Sequence, residues 1–159
     1  MFKSKWNIVW VLAACTLLLA TTADAKKQVT RPLKIQSDAT VVYTSDTTVM
    51  VTEKGEATHL GRFLSEGFGD IYSDNMKIHY LTDWIAANGD VLHWEGDVYL
   101  LGIVDNKVYF TMKFWIVGGT GRFEGASGDF GDETEVLSGD INPDGSITFS
   151  YKTSGIITY

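Results

Sequence analysis

The chain has 159 residues, with 13 Lys+Arg against 20 Asp+Glu, 45% apolar and 13% aromatic residues, two Pro and one Cys. That length suits one globular domain and is short for two ordinary ones. A net charge of −7 excludes a basic nucleic-acid binder and argues against polybasic attachment to anionic membranes.

The first 25 residues differ from the rest. Lys3 and Lys5 precede an apolar run from Trp6 to Ala20, broken only by Asn7, Cys15 and Thr16. Ala23 and Ala25 then supply the small residues that a signal peptidase reads. Residues 1–25 are therefore expected to be a cleavable signal helix, and the protein to be exported, periplasmic or secreted. A run of about 15 residues is short of the ~20 that a membrane span needs. Leu12-Ala13-Ala14-Cys15 also reads as a lipoprotein box, with Cys15 as the lipidated residue. The apolar continuation Leu17-Leu18-Leu19-Ala20 speaks against it, since a lipid-anchored start is more usually polar. Both routes stay open, and Cys15 is the one route to a membrane.

Cleavage after Ala25 leaves 134 residues with 11 basic and 19 acidic side chains (13 − 2 and 20 − 1), net −8 and no Cys. Such a chain has no disulfide and no thiol chemistry. Residues 26–37 are polar, carry Pro32 and read as a flexible lead to a domain over 38–159.

From Asp38 onward the pattern is β. Strands are expected over Thr40–Tyr43, Ala57–Ser65, Met76–Ile85, Asp90–Leu101, Lys107–Val117, Thr134–Ile141 and Ser146–Tyr159. Lys107–Val117 is the clearest. Val108, Phe110, Met112, Phe114 and Ile116 share one parity, and Tyr109, Thr111, Lys113, Trp115 and Val117 the other. That is a strand with one buried face. In the strand before it, Leu92, Trp94, Val98 and Leu100 share one face, and His93, Glu95, Asp97 and Tyr99 the other. Asn88-Gly89, Asp105-Asn106 and Asn142-Pro143-Asp144-Gly145 are hairpin signals. No segment has a helical period with caps. The 16 Gly make up about 12% of the 134 residues against a usual ~7%, and strand glycines permit the bends that barrel closure needs. The expected fold is all-β, an eight-stranded antiparallel barrel. Gly-Arg-Phe occurs at 61–63 and 121–123 with unlike flanks, so it is not a repeat.

Three blocks carry a family resemblance: Ala57-Thr58-His59-Leu60-Gly61-Arg62-Phe63, Ala86-Ala87-Asn88-Gly89-Asp90, and Gly118-Gly119-Thr120-Gly121-Arg122-Phe123-Glu124-Gly125-Ala126-Ser127-Gly128. In order and spacing they resemble small exported bacterial proteins of the allene oxide cyclase barrel-like group. The third block also resembles the Gly-Gly-Thr-Gly segment of plant dirigent proteins. The resemblance covers about residues 38–159. It implies a calycin-type barrel, an apolar ligand inside it, and a homo-oligomer, a trimer as in the plant relatives. It places no catalytic residue on this chain.

Other constellations have simpler explanations. The Gly118–Gly128 block lacks the Lys-Ser/Thr ending of a phosphate loop and reads as a barrel corner. His93, Glu95 and Asp97 share a face, but alternate strand residues sit about 7 Å apart and Zn ligands at about 2 Å, so a solvated outer face fits better. His59 and Arg62 have opposite parity; Arg62 is expected to meet a carboxylate on a neighbouring strand. Arg122 and Glu124 share parity and suit a surface pair. His79 carries no special mark. Residues 140–145 copy half a calcium loop, but Tyr151 stands where a bidentate Glu belongs, and a hairpin turn explains them. Seven acids from Glu124 to Asp144, with no base between Arg122 and Lys152, keep a weak calcium site as the alternative. No nucleophile-elbow motif, metal set or cofactor motif appears.

The reading is thus a small binding barrel, its ligand held by Leu92, Trp94, Phe110, Met112 and Phe114. A side-chain-filled core is its main competitor. Two other functions stay open. A cyclase or isomerase would need a polar group inside the apolar barrel. An interaction protein would use Tyr109, Trp115 and Val117 as an outer apolar patch.

Overall fold

The computed structural model describes residues 28–159. The expected signal, Cys15, and residues 26 and 27 of the expected lead lie outside them. The described chain forms nine strands: β1 (Thr30–Tyr43), β2 (Thr48–Ala57), β3 (Gly61–Tyr72), β4 (Lys77–Ala86), β5 (Val91–Val104), β6 (Lys107–Gly119), β7 (Ser127–Phe130), β8 (Leu137–Ile141) and β9 (Ile147–Thr158). A single 3-10 turn, Gly121–Phe123, precedes β7.

Every pairing is antiparallel, and the sheet closes on itself. Strands β1 to β6 pair in sequence order. Strands β7 and β8 together form one stave: β6 pairs with β7 through Phe114–Ile116 and with β8 through Lys107–Phe110, and β9 pairs with both. β9 returns to β1 in a register running from Thr30↔Thr158 to Val41↔Ile147. The nine segments thus make the expected eight-stranded barrel, with no open sheet edge.

The strong alternations hold. Val108, Phe110, Met112, Phe114 and Ile116 of β6 are buried, as are Leu92, Trp94 and Val98 of β5. The β5–β6 hairpin turns through Asp105 and Asn106, both at positive φ (49° and 62°), as a tight two-residue turn of the right twist requires.

Elsewhere the boundaries shift. The expected flexible lead is half of a strand: Thr30–Ser37 opens β1, with Leu33, Ile35 and Ser37 buried between β2 and β9. The expected Ala57–Ser65 strand breaks at Thr58–Leu60, where His59 takes φ 71° and the chain reverses between β2 and β3. β2 and β7 were not expected as strands, and β8 begins only at Leu137.

One end of the barrel is packed solid. Trp84 is fully buried, with ring centroids 4.6 Å from Phe63 and 4.9 Å from Phe130, and Trp94 lies 4.6 Å from Phe114. Phe123, fully buried, drops in from the 3-10 turn. Gly96 makes this packing feasible. A Cβ there would sit 2.4 Å from the Phe114 ring and 2.3 Å from the Lys113 carbonyl oxygen. At the barrel corner Gly121 has φ 59°, and a Cβ would strike the Asp90 carboxylate at 2.0 Å.

Candidate ligand-binding cavity

The other end is less full. A cavity of about 50 Å³ lies between Val41, Val51, Ile78, Val98, Val108 and Ile147. It is several times the ~10–15 Å³ that one water needs and well below the ~300 Å³ of a drug-sized site. Half-exposed Tyr43 and partly buried Leu100 and Phe149 surround its mouth. The interior is therefore neither a wide ligand chamber nor fully filled.

The interior has two unlike walls. β5 and β6 give the apolar wall. The wall from β9 through β1 to β4 carries Tyr151, Ser37, Glu53, Ser65 and Thr82, all buried. Register places them side by side: Ser37 pairs with Tyr151, Glu53 with Ser65, and Ser65 with Trp84. Alternation in β2 puts Glu53 inside, because it shares parity with buried Val49 and Val51.

Glu53 lies at the floor of the cavity. The Trp84 indole N–H donates to its Oε2 at 2.9 Å, and the Tyr151 hydroxyl donates to its Oε1. The neighbouring Ser37 hydroxyl donates to the Lys54 carbonyl at 2.9 Å. Burial pushes the Glu53 carboxyl above its ordinary range, and hydrogen bonds from Tyr151 and Trp84 offset this only in part. Burial also raises Tyr151, with the Glu53 charge adding to it, and burial raises Tyr80. Among the described residues no Lys, Arg or His is buried, so Glu53 has no internal counter-ion. Three further polar atoms, Ser65 Oγ, Thr82 Oγ1 and Trp94 Nε1, are occluded without a hydrogen-bond partner.

Of the five residues expected to line a ligand site, all are inside the barrel, and three line the cavity: Trp94, Phe110 and Phe114. Leu92 and Met112 are buried but are not cavity-lining residues. Glu53, Tyr80 and Tyr151 escaped the sequence reading. The parity of Val49 and Val51 was the signal that would have placed Glu53 inside.

No family model, curated protein or solved structure matches this chain. What can be read of its function comes from the barrel itself.

The remaining candidates resolve into surface structure. His93 Nδ1 hydrogen-bonds Asp83 at 2.6 Å, and His79 Nδ1 hydrogen-bonds Asp97 at 2.8 Å. Burial raises the Asp97 carboxyl, but hydrogen bonds from His79 and Lys77 outweigh it and hold the group below its usual range. Arg62 meets Glu56 across β2–β3 at 3.3 Å, as expected. Arg122 binds Asp90 at 3.2 Å and the Leu60 carbonyl at 3.4 Å, not Glu124, because the 3-10 turn breaks the parity between them. His59 Nε2 hydrogen-bonds the Pro32 carbonyl. Residues 142–146 are a hairpin turn, with the Asp144 carboxylate accepting from the Ser146 amide and hydroxyl and Asp140 paired to Lys107 at 2.5 Å. Among the described residues no group of three or more His, Cys, Asp or Glu side chains is placed to hold a metal. Trp115 and Val117 are exposed on the outer face, where Phe68 and Leu81 form a further exposed pair across β3–β4.

Proposed function

We propose that this protein is an exported binding module that takes the end of a small amphipathic molecule into its barrel. The observation that carries this reading is Glu53, a hydrogen-bonded carboxyl at the floor of an otherwise apolar cavity. A core selected only for packing has no need of a buried carboxyl, which costs several kcal/mol to desolvate unless well satisfied. The cavity is too small for a whole drug-sized ligand. It suits a compact headgroup, with the rest of the molecule leaving past Tyr43 and Phe149. The three sequence blocks support kinship with the allene oxide cyclase barrel-like and dirigent-like proteins, and residues 1–25 support export. Native mass spectrometry of the purified protein tests the reading. A small non-covalent adduct is expected; a bare barrel under the gentlest conditions, at every preparation, contradicts it.

A second reading, a cyclase or isomerase, is favoured by the same carboxyl. A carboxyl whose pKa is raised by burial is a group that general acid or base catalysis can use, and the apolar wall would hold a substrate in one conformation. Loss of turnover in Glu53→Gln with unchanged substrate affinity would support it over simple binding.

A further inference from the structure

The binding reading leaves the chemistry of the headgroup open, and the interior carries a preference. The cavity is bordered by Tyr43, Tyr80, Trp94, Phe110, Phe114, Phe149 and Tyr151, seven aromatic side chains around a space wide enough for one compact group. Below them lies one carboxyl, Glu53. Among the described residues no cation is buried anywhere in the barrel.

The two oxygens of Glu53 are addressed by Trp84 and Tyr151, with the Ser37 hydroxyl beside them. Trp84 Nε1 is a donor and never an acceptor, so Oε2 is held as an acceptor. The Tyr151 hydroxyl is placed to donate to Oε1. The carboxyl is thus held by two partners in a site with no positive charge of its own, and burial there favours its protonated form. An anionic headgroup would face that carboxyl without a cation, and a neutral headgroup would leave it held toward the protonated form. A cationic headgroup supplies the counter-charge that lets it ionise. Aromatic faces attract a cation through their quadrupoles, most strongly where water is excluded.

We infer that the barrel binds small organic cations, an alkylammonium headgroup seated among the aromatic side chains above the Glu53 carboxylate, with its alkyl chain directed out of the mouth. This rests on the binding reading above and specifies its ligand. On binding, any proton held by Glu53 passes to solvent and the ligand's charge takes its place; no bond is made or broken. Tyr151 from β9 bonds that carboxyl, and Tyr80 from β4 and Tyr43 from β1 line the same cavity; burial pushes the hydroxyl pKa values of Tyr151 and Tyr80 upward, so both stay neutral across the working pH range.

The test uses three probes of similar length: butyltrimethylammonium, 1-pentanol and pentanoate. Each is titrated into the wild-type protein and into Glu53→Gln, read by isothermal calorimetry and by the fluorescence of the interior tryptophans. Wild type is expected to bind the ammonium at least tenfold more tightly than the alcohol and the carboxylate. Glu53→Gln is expected to bring the ammonium down to the level of the alcohol. Equal or tighter binding of the alcohol or the carboxylate by wild type overturns the cation inference while leaving the binding reading intact. That comparison needs no variant, so it decides the matter even if Glu53→Gln fails to fold. Undiminished ammonium binding by folded Glu53→Gln also overturns it. Absence of binding by all three overturns the cation inference and the binding reading together.

Discussion

The Trp84 indole donates to the Glu53 carboxylate at 2.9 Å across the inside of the barrel, joining two residues 31 positions apart. Trp84 closes one end of the barrel, and Glu53 forms the floor of the cavity toward the other. A single hydrogen bond therefore connects the packed core to the candidate site.

Removing that donor should be costly. Trp84→Phe keeps most of the aromatic packing but leaves Oε2 of Glu53 without its partner, a loss of about 1–3 kcal/mol. Trp84→Ala adds the cavity, for a total of roughly 3–5 kcal/mol. Urea denaturation of the two variants beside wild type checks both figures, and a Phe variant as stable as wild type would remove the hydrogen bond from the list of stabilising contacts.

The pH dependence of stability should carry the mark of Glu53. Its pKa is raised on folding, so the folded state holds the proton longer than the unfolded chain. Below the unfolded value, about 4.3, both states are protonated and nothing is lost. As pH rises from there through the folded pKa, the unfolded chain ionises first and stability falls. Glu53→Gln lacks this loss. The stability of wild type relative to Glu53→Gln should therefore decline with rising pH and then level off. A relative stability that climbs with pH has the wrong sign. Subtracting the variant cancels the opposite trend from Asp97, Asp132 and Asp144, whose lowered values favour folding above their unfolded pKa and lose that contribution as pH falls.

Two glycine-to-alanine changes should separate close approach from backbone strain. At Gly96 the added Cβ meets the Phe114 ring and the Lys113 carbonyl, so overpacking should cost about 1–3 kcal/mol. At Gly89, φ is 87° and nothing lies within 4 Å, so only the left-handed backbone penalty of roughly 1–2 kcal/mol remains. Thermal melts in the presence of butyltrimethylammonium should show ligand stabilisation retained in Gly89→Ala and diminished in Gly96→Ala, where a displaced Phe114 disturbs the cavity wall.

The parts of this fold that the sequence displays plainly are those with an apolar inner face. Val108 to Ile116 in β6 and Leu92 to Val98 in β5 alternate cleanly, and the Asp105-Asn106 turn between them follows from residue type. β2 and the second half of β3 hide because the polar wall runs along these two strands. Their inner residues include Glu53, Gly55, Ser65, Gly67 and Gly69, while Leu64 and Phe68 point outward and are exposed, so the usual apolar-in pattern is inverted. Ser37 and Pro32 disguised the start of β1 in the same way. The candidate site was half legible for the same physical reason. Trp94, Phe110 and Phe114 belong to the patterned wall. Glu53 sits in Thr52-Glu53-Lys54-Gly55-Glu56, which resembles a solvated segment until pairing with β1 and β3 turns it inward.

Methyl-resolved NMR of the protein titrated with butyltrimethylammonium tests most directly whether the barrel interior is a binding site. Ile78, Val98, Val108 and Ile147 border the cavity, whereas Leu33 and Ile157 are buried at the packed end and Leu64 and Leu81 lie exposed on the outer wall. The predicted result is saturable shifts at the first four, with the other four methyl groups unmoved. Shifts confined to Leu64 and Leu81, or none at saturating probe, would contradict it.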